Sequence, residues 1–134
     1  MDKTVKTLFR DEIFVKENVI TIASNSNTFA KNQNQTNDIF SEKWVQADDY
    51  ETIGEMYKFQ LDWFLKLYGF DNINEFRDFL STKNTIIDTG CGLGYKAAWF
   101  AELAPHAVVI GVDISDSIDV AIKNYSHLPN LFFH

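Results

Sequence analysis

The pattern of apolar and polar positions is most regular after residue 84. Two apolar runs without alternation, "NTIID" and "AVVIGVD", are separated by the helix-like segment "GYKAAWFAELA". A second helical segment, "SDSIDVAIKNY", then leads to the short apolar run "NLFFH". Apolar runs of this kind are typical of strands buried on both faces, and their alternation with helices indicates a parallel sheet with crossover connections. The sequence therefore predicts an α/β fold.

Upstream of this region the apolar positions recur with helical spacing. From Asp48 or Asp49 they follow steps of three and four residues until Gly69, which supplies a stop. A second, shorter helix is predicted from Asn72 to Leu80, with Asn72 as its N-cap. Two helices are thus expected to pack beside the sheet.

The N-terminal segment differs from the rest of the chain. The stretch "VKTLFRDEIFVKENVITIA", residues 5–23, is rich in β-forming residues and predicts a hairpin with its turn at Lys16–Asn18. Residues 24–38 are mostly Asn, Gln, Ser and Thr, which is typical of a linker. We therefore divide the chain into an N-terminal extension, residues 1–46, and a helical cap with a sheet domain, residues 47–134.

Composition limits the function classes. The formal net charge of -7 gives no general attraction to nucleic-acid phosphates, so no nucleic-acid partner is expected. No apolar run approaches the roughly 20 residues that span a bilayer, and we expect a cytoplasmic protein without a membrane partner. The single cysteine cannot form an intramolecular disulfide or a cysteine-based zinc site by itself. Small-molecule partners are favoured, and no metal site is expected.

The candidate chemistry lies in "IIDTGCGLGYKAAWF", Ile86 to Phe100, which places Gly90, Gly92 and Gly94 directly after Asp88. This turn falls between the first predicted strand and helix, at the sheet edge where ligands of such folds bind. Side chains at the glycines would forbid the tight turn or hold a ligand away from the backbone. The following helix points its N-terminal amides toward the same crevice. The segment is therefore predicted to bind a nucleotide-like ligand.

Two details favour a nucleoside that carries an amino-acid tail over a dinucleotide. The third glycine comes one position earlier than in G-x-G-x-x-G, and Tyr95 stands where that glycine would be. Asp88 would repel a pyrophosphate but would attract an ammonium group. Asp113 ends the second strand, where a carboxylate can accept hydrogen bonds from both ribose hydroxyls.

The motifs "DTGCGLG" and "VIGVDIS" together resemble those of class I S-adenosylmethionine-dependent methyltransferases. The resemblance covers residues 84–134 and implies a Rossmann-like sheet, S-adenosyl-L-methionine as cofactor, and a small-molecule methyl acceptor of unknown identity. It also implies that Asp113 binds the ribose diol and that Ile114 lies against the adenine. The residues that it places around the methionine moiety are Asp88, Gly90, Cys91, Gly92 and Gly94.

Simpler interpretations compete for several residues. Cys91 has no histidine nearby in sequence and is better explained as a buried filler than as a nucleophile. Aromatic residues at helical spacing are usually core, so pocket roles are the less favoured interpretation. These candidates are Trp44, Tyr50, Tyr57 and Trp63. No residue is assigned as a catalytic base.

The third predicted strand coincides with the end of the sequence, whereas the sheet of the resembled family has seven strands. The resemblance thus implies an incomplete sheet, the first βαβαβ half, preceded by the helices and the hairpin. We expect the N-terminal portion of a longer enzyme, inactive alone, which forms a homo-oligomer or is completed by a missing C-terminal half. The alternatives are a non-catalytic nucleoside-binding or self-associating module and a nicotinamide-dependent oxidoreductase.

Overall fold

The computed structural model describes residues 2–23 and 50–134, and these form one α/β unit. The predicted linker, residues 24–38, and the candidate Trp44 lie outside the described residues. The helices and strands, in chain order, are α1 (Asp2–Lys6), β1 (Ile13–Lys16), β2 (Val19–Ile22), α2 (Tyr50–Leu67), α3 (Ile73–Ser81), β3 (Thr85–Thr89), α4 (Tyr95–Leu103), β4 (Val108–Val112), α5 (Ser117–Tyr125) and β5 (Leu131–Phe133).

The described strands form one five-stranded sheet in the order β1-β2-β5-β4-β3. Strand β3 pairs with β4 and β4 pairs with β5, both in parallel, with Ile87 beside Ile110 and Ile110 beside Phe132. Helices α4 and α5 supply the crossovers between these strands. The predicted Rossmann-like α/β fold, with its first βαβαβ half, is therefore confirmed.

The predicted hairpin is present but shorter than residues 5–23. Its two central residues, Glu17 and Asn18, have φ of 49° and 65°, as a two-residue turn that matches the strand twist requires. Asp2–Lys6 forms α1 instead of a strand, because Val5 is fully buried against the sheet and this contact outweighs local β propensity. The predicted hairpin of two short strands thus occupies Ile13–Lys16 and Val19–Ile22, and the beginning of the β-rich stretch is helical.

The hairpin extends the same sheet, since β2 pairs in parallel with β5. The Phe133 N–H donates to the Asn18 carbonyl at 2.9 Å, and the Asn18 side chain donates to the carbonyls of Ser126 and Leu128. Asn18 therefore joins the hairpin to the end of α5 and to β5.

The two sheet faces are covered unequally among the described residues. On one face α4 and α5 pack their alanines on Val109, Leu131 and Phe133. Helices α2 and α3 pack outside α4, around Leu65, Phe76 and Leu80. The other face carries a smaller cluster that α1 covers: Val5, Ile13, Ile20, Val108, Ile110 and Phe132.

The helix boundaries follow the predicted signals. Asn72 caps α3 by accepting from the N–H groups of Asn74 and Glu75. Helix α2 ends before Gly69, which has φ of 76°, and the Phe70 N–H bonds back to the Leu65 carbonyl. The predicted start at Asp48 or Asp49 lies outside the described residues.

None of the helices in the described ranges has the length and low polarity needed to span a bilayer.

Candidate functional site

The loop between β3 and α4 is held against the end of β4 by its own backbone. The N–H groups of Gly90 and Cys91 both donate to the Val112 carbonyl, at 2.7 and 3.0 Å. Gly90, Gly92 and Gly94 have φ of 74°, 53° and 81°, in the left-handed region that residues with a Cβ rarely adopt. The backbone conformation of this turn thus explains why the sequence has glycine at these three positions.

The three glycines have different surroundings. A Cβ built on Gly90 or Gly92 meets no other atom within 4 Å, so the space beside these two positions is open. A Cβ on Gly94 would lie 2.7 Å from the Ala121 Cβ, which is inside van der Waals contact. Gly90 and Gly92 therefore leave room for a ligand, whereas Gly94 lets α4 pack closely on α5.

Asp113 supports the glycine loop in this structure. One carboxylate oxygen accepts from the Gly92 N–H at 2.7 Å. The other accepts from the Ser115 N–H at 2.9 Å and from the Ser115 hydroxyl at 2.6 Å. The structure thus brings the two predicted parts of the site, the loop and the second acid, into direct contact.

Asp88 is largely shielded from solvent beside the same loop. Burial raises the pKa of the Asp88 carboxyl, the Lys96 ammonium acts in the opposite direction, and the Asp113 carboxylate raises the pKa further. One of its oxygens is buried and has no hydrogen-bond partner among the described residues. A buried acceptor without a donor is costly, and it matches a ligand that supplies a positively charged donor.

Cys91 is a packing residue of the loop. Its side chain is buried in the cluster between β4 and the two crossover helices. Burial, with added repulsion from Asp88 and Asp113, raises the pKa of the thiol to about 12. The group therefore stays protonated near neutral pH, which agrees with its interpretation as a filler.

At the start of α4 the Ala97 N–H donates to the Asp88 carboxylate. Gly94 is its N-cap and has no side chain that could accept from the first turn. The first amides of such a helix favour an anionic partner. Ile114, the predicted adenine contact, is 51% exposed directly after Asp113 and is therefore accessible to a ligand.

Sequence reasoning did not find Lys96, Ser115 or Gly111. A Cβ on Gly111 would lie 2.9 Å from the Phe133 ring and 3.1 Å from the Cys91 sulfur, so this glycine allows the loop and β5 to approach β4. A glycine inside a continuous apolar strand is a signal of such close approach and was available in the sequence.

The aromatic candidates divide between core and surface. Tyr57 packs edge-on against Trp99 at 5.4 Å between ring centroids, and its hydroxyl donates to the Glu102 carboxylate. Burial and Glu102 raise the pKa of the Tyr57 hydroxyl. Trp63 is 49% exposed on α2, and Tyr50 is the first residue of the same helix. Tyr57 thus joins α2 to α4, as the core interpretation predicts.

No group of three or more potential metal-ligating side chains (His, Cys, Asp or Glu) occurs within the described ranges, 2–23 and 50–134.

The chain is similar to two solved structures that share parts of its length. PKMT2 from Rickettsia typhi in complex with AdoHcy is 33% identical over 41% of this chain, with a TM-score of 0.37. StiE O-MT, residues 961–1257, is 17% identical over 68% of this chain, with a TM-score of 0.45. The chain spans 11% of the first and 32% of the second. No protein-family model and no curated protein matches it.

Proposed function

We propose that the chain is the S-adenosyl-L-methionine-binding portion of a methyltransferase whose acceptor is a small molecule. The observation that carries this proposal is the pair of carboxylates, Asp88 and Asp113, on either side of a glycine loop with open space beside Gly90 and Gly92. The motifs "DTGCGLG" and "VIGVDIS", which resemble those of class I enzymes, support the same assignment.

The methionine end of the cofactor fits the charges around the loop. Its ammonium group would supply the donor that one Asp88 oxygen lacks, and its carboxylate would be attracted by the positive end of the α4 dipole. When bound, the cofactor supplies an activated methyl group on a sulfonium. The residues of this chain would hold the cofactor, and none is assigned a role in deprotonating the acceptor.

The ribose end requires a rearrangement at Asp113. A carboxylate has about four acceptor positions, and three hydrogen bonds already reach Asp113. The Ser115 hydroxyl also lies 2.6 Å from the Ser117 hydroxyl and can donate there instead. We infer that this shift frees Asp113 to accept from both ribose hydroxyls while the Gly92 N–H stays bound.

Two alternatives make different predictions. A nicotinamide-dependent oxidoreductase would have to place a pyrophosphate near both carboxylates, which their charge opposes. A non-catalytic nucleoside-binding module would bind the same ligand and transfer no methyl group in any assembly. Comparing the affinities for S-adenosylhomocysteine and for NAD tests the first alternative. An assay for methyl transfer tests the second.

The test of the site is calorimetric titration of S-adenosylhomocysteine into the wild type, Asp113→Ala and the matched control Asp119→Ala. Asp119 is an exposed acid in the first turn of α5 and lies outside the loop contacts. We expect Asp113→Ala to weaken binding by about 1–3 kcal/mol, the scale of charge-assisted hydrogen bonds. Equal affinity in a folded Asp113→Ala protein would remove this residue from the site.

A further inference from the structure

Helix α2 carries apolar side chains on two faces. One face packs on α3 and α4, where Phe64 meets Phe76 and Tyr57 meets Trp99. A second face exposes three large apolar side chains at steps of four residues, which places them in one line along the helix: Phe59 (70% exposed), Trp63 (49%) and Leu67 (56%). Contiguous exposed apolar side chains of this kind mark an interaction surface.

A line of charged side chains runs beside these apolar residues. With 3.6 residues per turn, Met56 lies within about 80° of the three exposed apolar residues around the helix axis, and these four form the apolar stripe. The neighbouring sector, also about 80° wide, holds four exposed residues whose charges alternate in sign along the helix. These residues form the charged column: Glu55, Lys58, Asp62 and Lys66.

The order of the charges indicates which partner the surface fits. The charged column has no net charge, so it favours neither an anionic lipid or nucleic-acid surface nor a strongly acidic or basic protein. Along the helix its signs are negative, positive, negative and positive, and in the reverse direction each sign becomes its opposite. The charged column is therefore complementary to an antiparallel copy of itself.

We propose that α2 packs against α2 of a second copy of the chain, antiparallel about a two-fold axis at the level of Leu61. In this register Phe59 of each copy lies opposite Trp63 of the other, and Met56 lies opposite Leu67. The apolar stripe of each copy thus covers that of the other. Two-fold contact is self-complementary and closes after two copies, so it forms a dimer.

The same register pairs the charges. A two-fold rotation that relates antiparallel helices keeps both charged columns on one side of the helix pair. Glu55 then lies opposite Lys66, and Lys58 opposite Asp62, each within about 3 Å of a common level at a rise of 1.5 Å per residue. Moving the axis to Asp62 would instead place Asp62 opposite itself and Lys58 opposite Lys66, which is unfavourable.

A parallel pair of α2 helices gains no such ion pairs. Its two-fold axis runs along the helices and puts the charged column of each copy beside the other flank of its partner. That flank carries Gln60 and Phe64 and no charged residue. The antiparallel dimer is therefore the arrangement that uses both the apolar stripe and the charged column.

Sedimentation at micromolar concentration tests the dimer. We expect the wild type to sediment at twice the 15.4 kDa chain mass. Trp63→Ser should give folded monomer, as judged by circular dichroism, whereas Phe14→Ser, which changes a 60% exposed residue of β1, should remain dimeric. A folded wild-type monomer, or a Trp63→Ser protein that stays dimeric, would contradict the proposed interface.

Charge reversal tests the register. Glu55→Lys and Lys66→Glu each place like charges opposite each other at two symmetry-related positions, and each should weaken the dimer by roughly 3- to 30-fold. The double variant restores opposite charges and should recover the wild-type dissociation constant, and the control Lys6→Glu, at an exposed position of α1, should leave it unchanged. A double variant that dimerises no better than the single variants would overturn the proposed register.

Discussion

Asp88 shows how one residue can oppose folding and favour binding. Its carboxyl is buried beside Lys96, and one of its oxygens has no hydrogen-bond partner among the described residues. Burial favours the neutral acid in the folded state, whereas a cationic ligand favours the carboxylate. The residue therefore lowers stability in the free chain, and we propose that a bound cationic donor offsets this cost.

The raised pKa of Asp88 gives a signed pH prediction. A carboxyl with a raised folded-state pKa stabilises the fold below its ordinary pKa of 3.8, and this contribution is lost as pH rises through the folded value. The unfolding free energy of the wild type minus that of Asp88→Asn should therefore decrease as pH rises from the ordinary pKa to the raised folded-state pKa.

Binding should change with pH in the opposite direction. Protonation of Asp88 removes its charge, so the affinity of the wild type for S-adenosylhomocysteine should fall as pH is lowered through the raised pKa. Asp88→Asn should bind more weakly and show a flatter profile, whereas the exposed control Asp78→Asn should keep the wild-type profile. Parallel profiles for wild type and Asp88→Asn would show that Asp88 does not face the ligand.

Alanine substitutions at two glycines of the loop should destabilise the fold to different extents. Gly90→Ala adds a Cβ in open space, and its cost comes from the positive φ, about 1–2 kcal/mol. Gly94→Ala has the same conformational cost, and its Cβ would also overlap Ala121. We expect Gly94→Ala to be less stable than Gly90→Ala by about 1–3 kcal/mol in urea unfolding. Equal stabilities would mean that α5 can move away from α4 at little cost.

At the scale of elements, the end of α4 depends on one buried side chain. Asn130 is 2% exposed, and its amide donates to the carbonyls of Ala101, Ala104 and Ala107 at 3.0–3.2 Å. These carbonyls lie in the last turn of α4 and in the connection to β4. Asn130 thus fixes the crossover between β3 and β4 from a position just before β5.

Replacing Asn130 should destabilise the whole sheet. Asn130→Ala removes the amide donor from these buried carbonyls, of which Ala104 keeps the Ala107 N–H, and should cost about 1–3 kcal/mol in unfolding free energy. Asn130→Asp, which keeps the shape but presents oxygens to these carbonyls, should be worse. Asn74→Ala, at an exposed position of α3, is the control and should change stability little. A similar small effect for all three variants would contradict this role.

The elements that sequence reasoning predicted are those with a local signal. Strands β3 and β4 follow from unbroken apolar runs, and α3 follows from its period and from Asn72 as a cap. Helix α1 was missed because only its tertiary contact through Val5 distinguishes it from a strand. The union of the hairpin with β5 was also missed, since it depends on contacts of Asn18 with residues more than a hundred positions away.

The candidate site shows the same division. The glycine loop and the two acids carry a spacing that can be read in the sequence, and the structure brings Asp113 to the loop. The hydrogen bonds from Ser115 to Asp113 could not be predicted, because they depend on the conformation of the turn at Ser115. Gly94 was expected near a ligand, but its packing on Ala121 becomes visible only when α4 and α5 are placed together.

At the scale of the whole molecule, an apolar groove beside β3 adjoins the proposed cofactor site. Asp88 lines this groove, whose volume is about 780 Å³, and it also lies at the proposed cofactor site beside the glycine loop.

The central claim is that the glycine loop selects a nucleoside with a cationic amino-acid tail. Calorimetric titration of the wild-type chain with S-adenosylhomocysteine and with NAD, in the same buffer near neutral pH, tests it most directly. We expect S-adenosylhomocysteine to bind more tightly, because Asp88 attracts its ammonium group and both carboxylates oppose the pyrophosphate of NAD. Tighter binding of NAD would contradict the assignment of the cofactor and, with it, the proposed methyltransferase function.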